Sequence, residues 1–219
     1  MAIFVYMLVC YNRPMKLQKF EQSGFILETN SGFRLGFDIA NKTPLEKLEG
    51  ITVDAMLVSH IHGDHFSVPQ IKVLAPKDLY LNHECIELLG EESLECNIHE
   101  VKVGDSIEVS GIKVEFFNVD HGPNVSAPLT ENFGFLITAD EQTVYFAGDM
   151  FYESGIDVTN LSVDYALLPV GGFYTFGPAE ALEFAKKFKH IGNIIPMHYE
   201  KDPETKYEFI ELNDGMFNI

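Results

Sequence analysis

Residues 53–66 read Val53-Asp54-Ala55-Met56-Leu57-Val58-Ser59-His60-Ile61-His62-Gly63-Asp64-His65-Phe66. The first half is a nearly unbroken apolar run, the pattern of a short strand buried on both faces. The second half places three histidines and an aspartate between His60 and His65. A His-x-His-x-Asp-His string arises by chance in about one of two thousand chains of this composition, so the motif carries weight. Neutral imidazole and carboxylate are good ligands for zinc and neighbouring transition metals. In an extended turn His60 and His62, two apart, point the same way and can grip one cation. Asp64 and His65 follow within reach of a second, and Gly63 allows a tight bend. Ligands at the end of a strand lie where α/β folds commonly gather their sites.

Three later positions have the same setting. His121 follows the apolar run 114–120, Asp149 follows 144–147, and His198 follows 194–197. With them, five of the eight histidines (His60, His62, His65, His121 and His198) become candidate ligands. Asp38, at the end of the run 33–39, is a candidate partner for a metal-bound imidazole. His83, His99 and His190 read as structural, His190 at the C-terminal end of a helix, where a cation suits the dipole.

Around these positions the chain reads as short strands with helices between them. Strands are expected at 16–20, 25–29, 33–39, 53–59, 78–82, 133–139, 143–147, 165–170 and 194–197. A meander is expected over 101–120, turning at Gly104-Asp105 and Ser110-Gly111, and Ser31-Gly32 is a hairpin turn. Helices are expected near 84–89, 178–188 and 206–212, the second opened by Pro178. Two packed sheets covered by helices follow, an α/β sandwich.

Hydrophobic residues make up 46% of the 219 and charged residues 22%, which is globular composition and excludes disorder as the default. One medium domain, 15–219, is the simplest organisation, with 1–14 as an extra strand or an extension ahead of Met15. The formal net charge of −18 repels nucleic-acid backbones and anionic membrane surfaces, so neither is an expected partner. Three cysteines without ligand spacing suit a reduced, cytoplasmic protein. The apolar run 2–10 is shorter than the roughly 20 residues a membrane helix needs.

The sequence resembles the metallo-β-lactamase fold superfamily, most closely the branch of the UPF0173-type hydrolases and the L-ascorbate-6-phosphate lactonase. The resemblance runs from about Met15 to Leu212. It rests on Gln22-Ser23-Gly24-Phe25-Ile26-Leu27, Asp38, the Ser59–His65 loop, Gly148-Asp149, Gly171-Gly172-Phe173-Tyr174-Thr175-Phe176 and Pro196-Met197-His198-Tyr199. Gln22 departs from the family, which usually has His there, and Phe176 stands where Met is usual. The resemblance implies a four-layer αβ/βα sandwich with two divalent metals, zinc first and manganese or iron as alternatives. It assigns His60, His62 and His121 to one metal and Asp64, His65 and His198 to the other, with Asp149 bridging. A homo-oligomer is a further option that the branch implies.

Bound divalent metals acidify water, so such a site needs no Ser or Cys nucleophile. Asp64 is the expected catalytic carboxylate, orienting the nucleophile and relaying its proton. Tyr174, Thr175 and Tyr199 are the candidate substrate contacts, and 121–128 a candidate rim. The leading expectation is a hydrolase acting on a small polar or phosphorylated molecule, of lactone or phosphodiester type. A nuclease or cyclic-nucleotide phosphodiesterase using the same metals is the first alternative, weakened by the acidic charge. A non-catalytic binding module is the second, weakened by the complete ligand set.

Overall fold

The computed structural model describes residues 15–123 and 129–219. Residues 1–14, and the part of the candidate rim at 124–128, lie outside the described residues. The first sheet runs β1 (Lys16–Lys19), β2 (Phe25–Glu28), β3 (Arg34–Phe37), β4 (Ala55–Leu57), β5 (Asp78–Leu81) and β6 (Asn97–Glu100), in that spatial order. The first three strands pair antiparallel and the rest parallel. The second sheet contains β7 (Ser106–Val109), β8 (Ile112–Asn118), β9 (Phe133–Ala139), β10 (Gln142–Phe146), β11 (Ser162–Pro169) and β12 (His190–Met197), also in sequence order. Helices α1 (Val68–Leu74) and α2 (His83–Leu89) belong to the first half, α3 (Pro178–Ala185) and α4 (Glu204–Asn213) to the second.

The layering follows from the two-residue period of a strand. Phe25, Leu27, Leu35, Phe37, Ala55 and Leu57 join the core shared with the second sheet. Their alternates Ile26, Met56 and Leu79 join a separate core with Ile71 and Leu74 of α1 and Cys85 and Leu89 of α2. Between the sheets Phe37 meets Phe146 edge-on at 5.3 Å and Phe135 at 6.4 Å. On the far side of the second sheet Tyr145 packs on Phe184 and Phe188 at 6.0 and 5.1 Å, so α3 covers that face. Aromatic pairs of this kind add about 0.5–1.5 kcal/mol each beyond the area they bury. The result is the αβ/βα four-layer sandwich.

Some expectations needed correction. Helix α1 was not expected: it is only 7 residues long, with β-branched Val68, Ile71 and Val73, too short to show a helical period. Strand β6 is polar and mostly exposed, so it has no alternation to read. It is held instead by pairing with β5 and by His99 Nε2 on Asp78 Oδ1 at 2.8 Å. Residues 101–105 are therefore a connection, not the first strand of a meander. The helix expected to reach Phe188 ends at Ala185, and His190 is the first residue of β12, not a helix terminus.

Candidate metal centre

The candidate ligands, and Asp38 behind them, follow the C-terminal ends of strands. Asp38 follows β3, His60 follows β4, His121 follows β8, Asp149 follows β10 and His198 follows β12. These ends meet at one rim of the sandwich. Phe133 N–H donates to the Ser59 carbonyl at 3.1 Å, joining the two sheets beside the histidine loop. The Asn132 amide donates to the carbonyls of Val119 and Asp149 at 3.3 and 3.1 Å and clasps the ends of β8 and β10 together.

Local backbone geometry completes the positioning. Gly63 does not have a positive φ. A Cβ there would lie 2.8 Å from Asn41 Nδ2, the end of an exposed side chain that can swing aside, where the loop after β3 crosses the histidine turn. A Cβ on Gly171 would lie 2.0 Å from the His198 carbonyl, so only glycine lets the segment after β11 approach that ligand. Gln22, Asp38 and His198 have φ of 58°, 50° and 59°. Left-handed backbone in such residues costs of order 1–3 kcal/mol and concentrates where surrounding structure imposes it, often at functional sites.

The ligand atoms converge. His60, His62 and His121 form one group whose donor atoms lie within 4.8 Å of one another, and Asp64, His65 and His198 form another. A third group, His60, His65 and Asp149, links the two. His60 Nε2 is 3.0 Å from His62 Nδ1. Asp149 Oδ2 lies 3.1, 3.3 and 3.0 Å from Nε2 of His65, His121 and His198. Asp149 thus sits between the two groups. Buried His62 Nε2, both ring nitrogens of His121 and Asp149 Oδ1 have no hydrogen-bond partner among the described residues. Buried polar atoms are normally paired, so a cluster of orphaned lone-pair atoms is the signature of a cation site. The donor set, imidazole and carboxylate, suits zinc, manganese or iron.

Asp38 sits behind this cluster, fully buried. Its carboxylate accepts from Ser59 N at 2.8 Å, Ser59 Oγ at 2.5 Å and His65 Nδ1 at 2.7 Å. Ser59 Oγ is also 2.9 Å from His60 Nδ1. With its own hydrogen on Asp38, this hydroxyl accepts from His60 Nδ1–H and leaves the lone pair of His60 Nε2 facing the site.

Burial, with His65 next in effect, holds the His60 imidazole well below its ordinary range, and burial with His121 lowers His62. Both are neutral at pH 7 and free to act as ligands. Burial would also lower His65, but the flanking Asp149 and Asp38 carboxylates outweigh it and raise this ring well above its ordinary value. Burial would raise Asp149, but His198 and His65 outweigh it and hold the carboxyl well below its ordinary value. Without a metal, the two flanking carboxylates thus favour the protonated ring of His65. Cation uptake must displace its Nε2 proton. At pH values below the raised His65 value, affinity should climb with pH by about tenfold per unit and release about one proton, then flatten above it. Calorimetry of Zn²⁺ uptake in buffers of different ionisation enthalpy measures that proton, and pH-independent uptake without release would contradict the assignment.

The substrate contacts expected from the sequence divide. Tyr174 lines a cavity of about 860 Å³ that opens over His62, Asp64, His121 and His198. Thr175 does not. It is buried, and its hydroxyl donates to the Phe176 carbonyl. Tyr199 packs partly into the core under Lys19 and Lys206 and is not part of the lining. In the loop before α3, Gly172 N donates to Phe176 O and Phe173 N to Gly171 O. The sequence reading missed Asn41, Lys42, Glu200 and Lys201, which complete the wall. Each is an ordinary polar loop residue, and only its proximity to Asp38 or His198 along the chain could have flagged it.

Residues 16–198 match the family model of the beta-lactamase superfamily domain. The chain is 35% identical over 183 residues to a UPF0173 metal-dependent hydrolase of Bacillus cereus, covering 78% of this chain and 79% of that protein. It is 33% identical over 182 residues to a UPF0173 metal-dependent hydrolase of Korarchaeum cryptofilum, covering 80% and 78%. Its fold is similar to that of Igni18, a metallo hydrolase from Ignicoccus hospitalis, with a TM-score of 0.73 at 23% identity over 93% of both chains. A mixed two-sheet sandwich, a rim of converging imidazoles and carboxylates, and relatedness over most of its length place this chain in the beta-lactamase superfamily, among the UPF0173 metal-dependent hydrolases.

Proposed function

We propose that this chain is a hydrolase that uses two divalent cations, zinc first, on a small anionic molecule such as a phosphorylated lactone or a phosphodiester. The observation that carries the reading is the pair of three-residue donor groups joined through Asp149 at the floor of a cavity. His60, His62 and His121 would hold one cation, Asp64, His65 and His198 the other, and Asp149 would touch both. Cations at such a site supply Lewis acidity and an acidified water. The protein's own groups do the rest. Both carboxylates line the cavity, Asp149 at 2% exposure and the Asp64 side chain at 24%. This greater access supports Asp64 as the carboxylate that would orient a water and relay its proton.

The walls support an anionic substrate. A cavity of about 860 Å³ is within the range of small-molecule sites. Although the chain carries a net charge of −18, this cavity presents Lys42 and Lys201. Lys42 makes no hydrogen bond or ion pair among the described residues. Lys201 Nζ lies 4.5 and 4.3 Å from the ring centres of Phe173 and Tyr174 and donates to the Tyr174 hydroxyl at 3.2 Å. Those rings hold the ammonium in place while leaving it able to meet an anion. Glu200 is already engaged, by Lys19 Nζ at 3.1 Å and Tyr199 N at 3.1 Å. Free Cys85 and Cys96 suit the reducing, cytoplasmic setting of such metabolism.

The test is a panel of phosphorylated and neutral lactones and bis(p-nitrophenyl) phosphate, assayed with Zn²⁺ or Mn²⁺ and after chelation. Turnover should require metal and favour the anions. Lys42→Gln with Lys201→Gln should raise KM for anions by about tenfold or more, the loss of a charge-assisted hydrogen bond, and leave neutral substrates unchanged. A metal-loaded protein with no turnover, or with equal preference for neutral compounds, would contradict the reading.

A further inference from the structure

We infer that Gln22 competes with a cation for the second half of the site, so that the two halves load in sequence and with unequal affinity. The inference rests on the metal-centre reading above. Gln22 precedes β2 and is 5% exposed. Its Nε2 lies 2.8 Å from Asp64 Oδ2 and 2.8 Å from His198 Nε2, contacts that reach two of the three donors of the second group. A carboxamide nitrogen has two hydrogens and no lone pair to share, so Gln22 donates to Asp64 Oδ2 and, where His198 carries its hydrogen on Nδ1, to His198 Nε2 as well. The opposite orientation would set Oε1 against the Asp64 carboxylate, oxygen against oxygen. The Gln22 carbonyl also accepts from His198 N at 3.2 Å, and with its φ of 58° the residue is tied to His198 through both main chain and side chain.

An imidazole Nε2 has one lone pair. If His198 spends it on Gln22, that lone pair is closed to a cation, and ligation must first break the Gln22 contact. One lone pair of Asp64 Oδ2 is occupied in the same way. In the first group the contact of this kind is His60 Nε2 with His62 Nδ1 at 3.0 Å, between two donors of one cation, and no amide from outside the group donates to it among the described residues. Among the described residues His62 Nε2 and both nitrogens of His121 have no hydrogen-bond partner, and His60 Nε2 faces only His62. The three-histidine half should therefore fill first. The Asp64, His65 and His198 half should fill later, at a cost equal to releasing the Gln22 amide.

The experiment is a titration of chelator-stripped full chain with Zn²⁺ against a chromophoric competitor, and with Co²⁺ followed by its visible spectrum. Wild type is compared with Gln22→Asn and Gln22→Gly, both compatible with a positive φ. Asn is too short to span both acceptors, and Gly has no amide. In both variants the first equivalent should bind as in wild type, and the second should tighten by about tenfold or more, the worth of a hydrogen bond to a charged acceptor. The separation between the two Co²⁺ spectral steps should shrink accordingly. A second equivalent that binds no tighter, or more weakly, while the first is unchanged would overturn the inference and make Gln22 a support for the ligands. Failure of wild type to bind even a first equivalent would instead overturn the metal-centre reading, and the inference with it.

Discussion

Asp149→Asn is expected to fold and to lose its metal and its turnover together. The wild-type carboxylate is buried with Nε2 of three histidines 3.0–3.3 Å from Oδ2, while Oδ1 has no partner. Asparagine keeps the shape and removes the negative charge that would offset bound metal. It also turns an acceptor toward donation, against imidazoles that must offer lone pairs. Substituting an outer partner of a metal ligand typically costs 10–100-fold in affinity. Loss of the carboxylate common to both halves should exceed that range, with at least about 100-fold weaker binding and a comparable fall in kcat/KM. Asp149→Ala should be worse still, because breaking a buried ion pair costs about 3–5 kcal/mol and leaves the His65 imidazolium with Asp38 as its remaining partner. Metal analysis after dialysis, together with a denaturant midpoint, separates the two effects. Wild-type metal content in Asp149→Asn would remove this residue from the centre.

Asp38→Ala is expected to damage both fold and site without touching a metal ligand position. Three donors converge on this fully buried carboxylate: Ser59 N, Ser59 Oγ and His65 Nδ1. Each left unpaired costs about 1–3 kcal/mol, so a lowered unfolding midpoint is expected even without metal. His65 then loses the partner that orients its ring, and Ser59 loses the acceptor that fixes its hydroxyl toward His60. Metal affinity should fall about 10–100-fold. Asp38→Asn should retain more stability than alanine, since its amide oxygen can still accept from Ser59 N–H. An Asp38→Ala protein with unchanged midpoint and affinity would show that the network does not support the ligands.

Legibility followed locality. The Ser59–His65 loop could be read because its donors are adjacent in the chain and follow a strongly apolar strand. His121, Asp149 and His198 could be read because each closes an apolar run. Strand β6 and helix α1 could not, because one is a polar edge held by its neighbour and the other is shorter than the period that would reveal it. Thr175 and Tyr199 looked like cavity residues because they flank the right loop and ligand, yet their side chains face other ways: into the backbone turn for Thr175, under two lysines for Tyr199. Gln22 was visible as a departure from the family's usual residue, but not its two partners, which lie 42 and 176 residues away.

The positions of the apolar strands, their buried faces and the chemical type of the site are written in short windows of this chain, because alternation and ligand grouping are local properties. Which half of the centre meets a competing amide, which lysines face the cavity and which loop side chains turn away were decided only when distant strand ends met at one rim. Those choices depend on distances of a few ångströms between segments far apart in the chain, and a one-dimensional pattern carries no record of such distances until the core has packed.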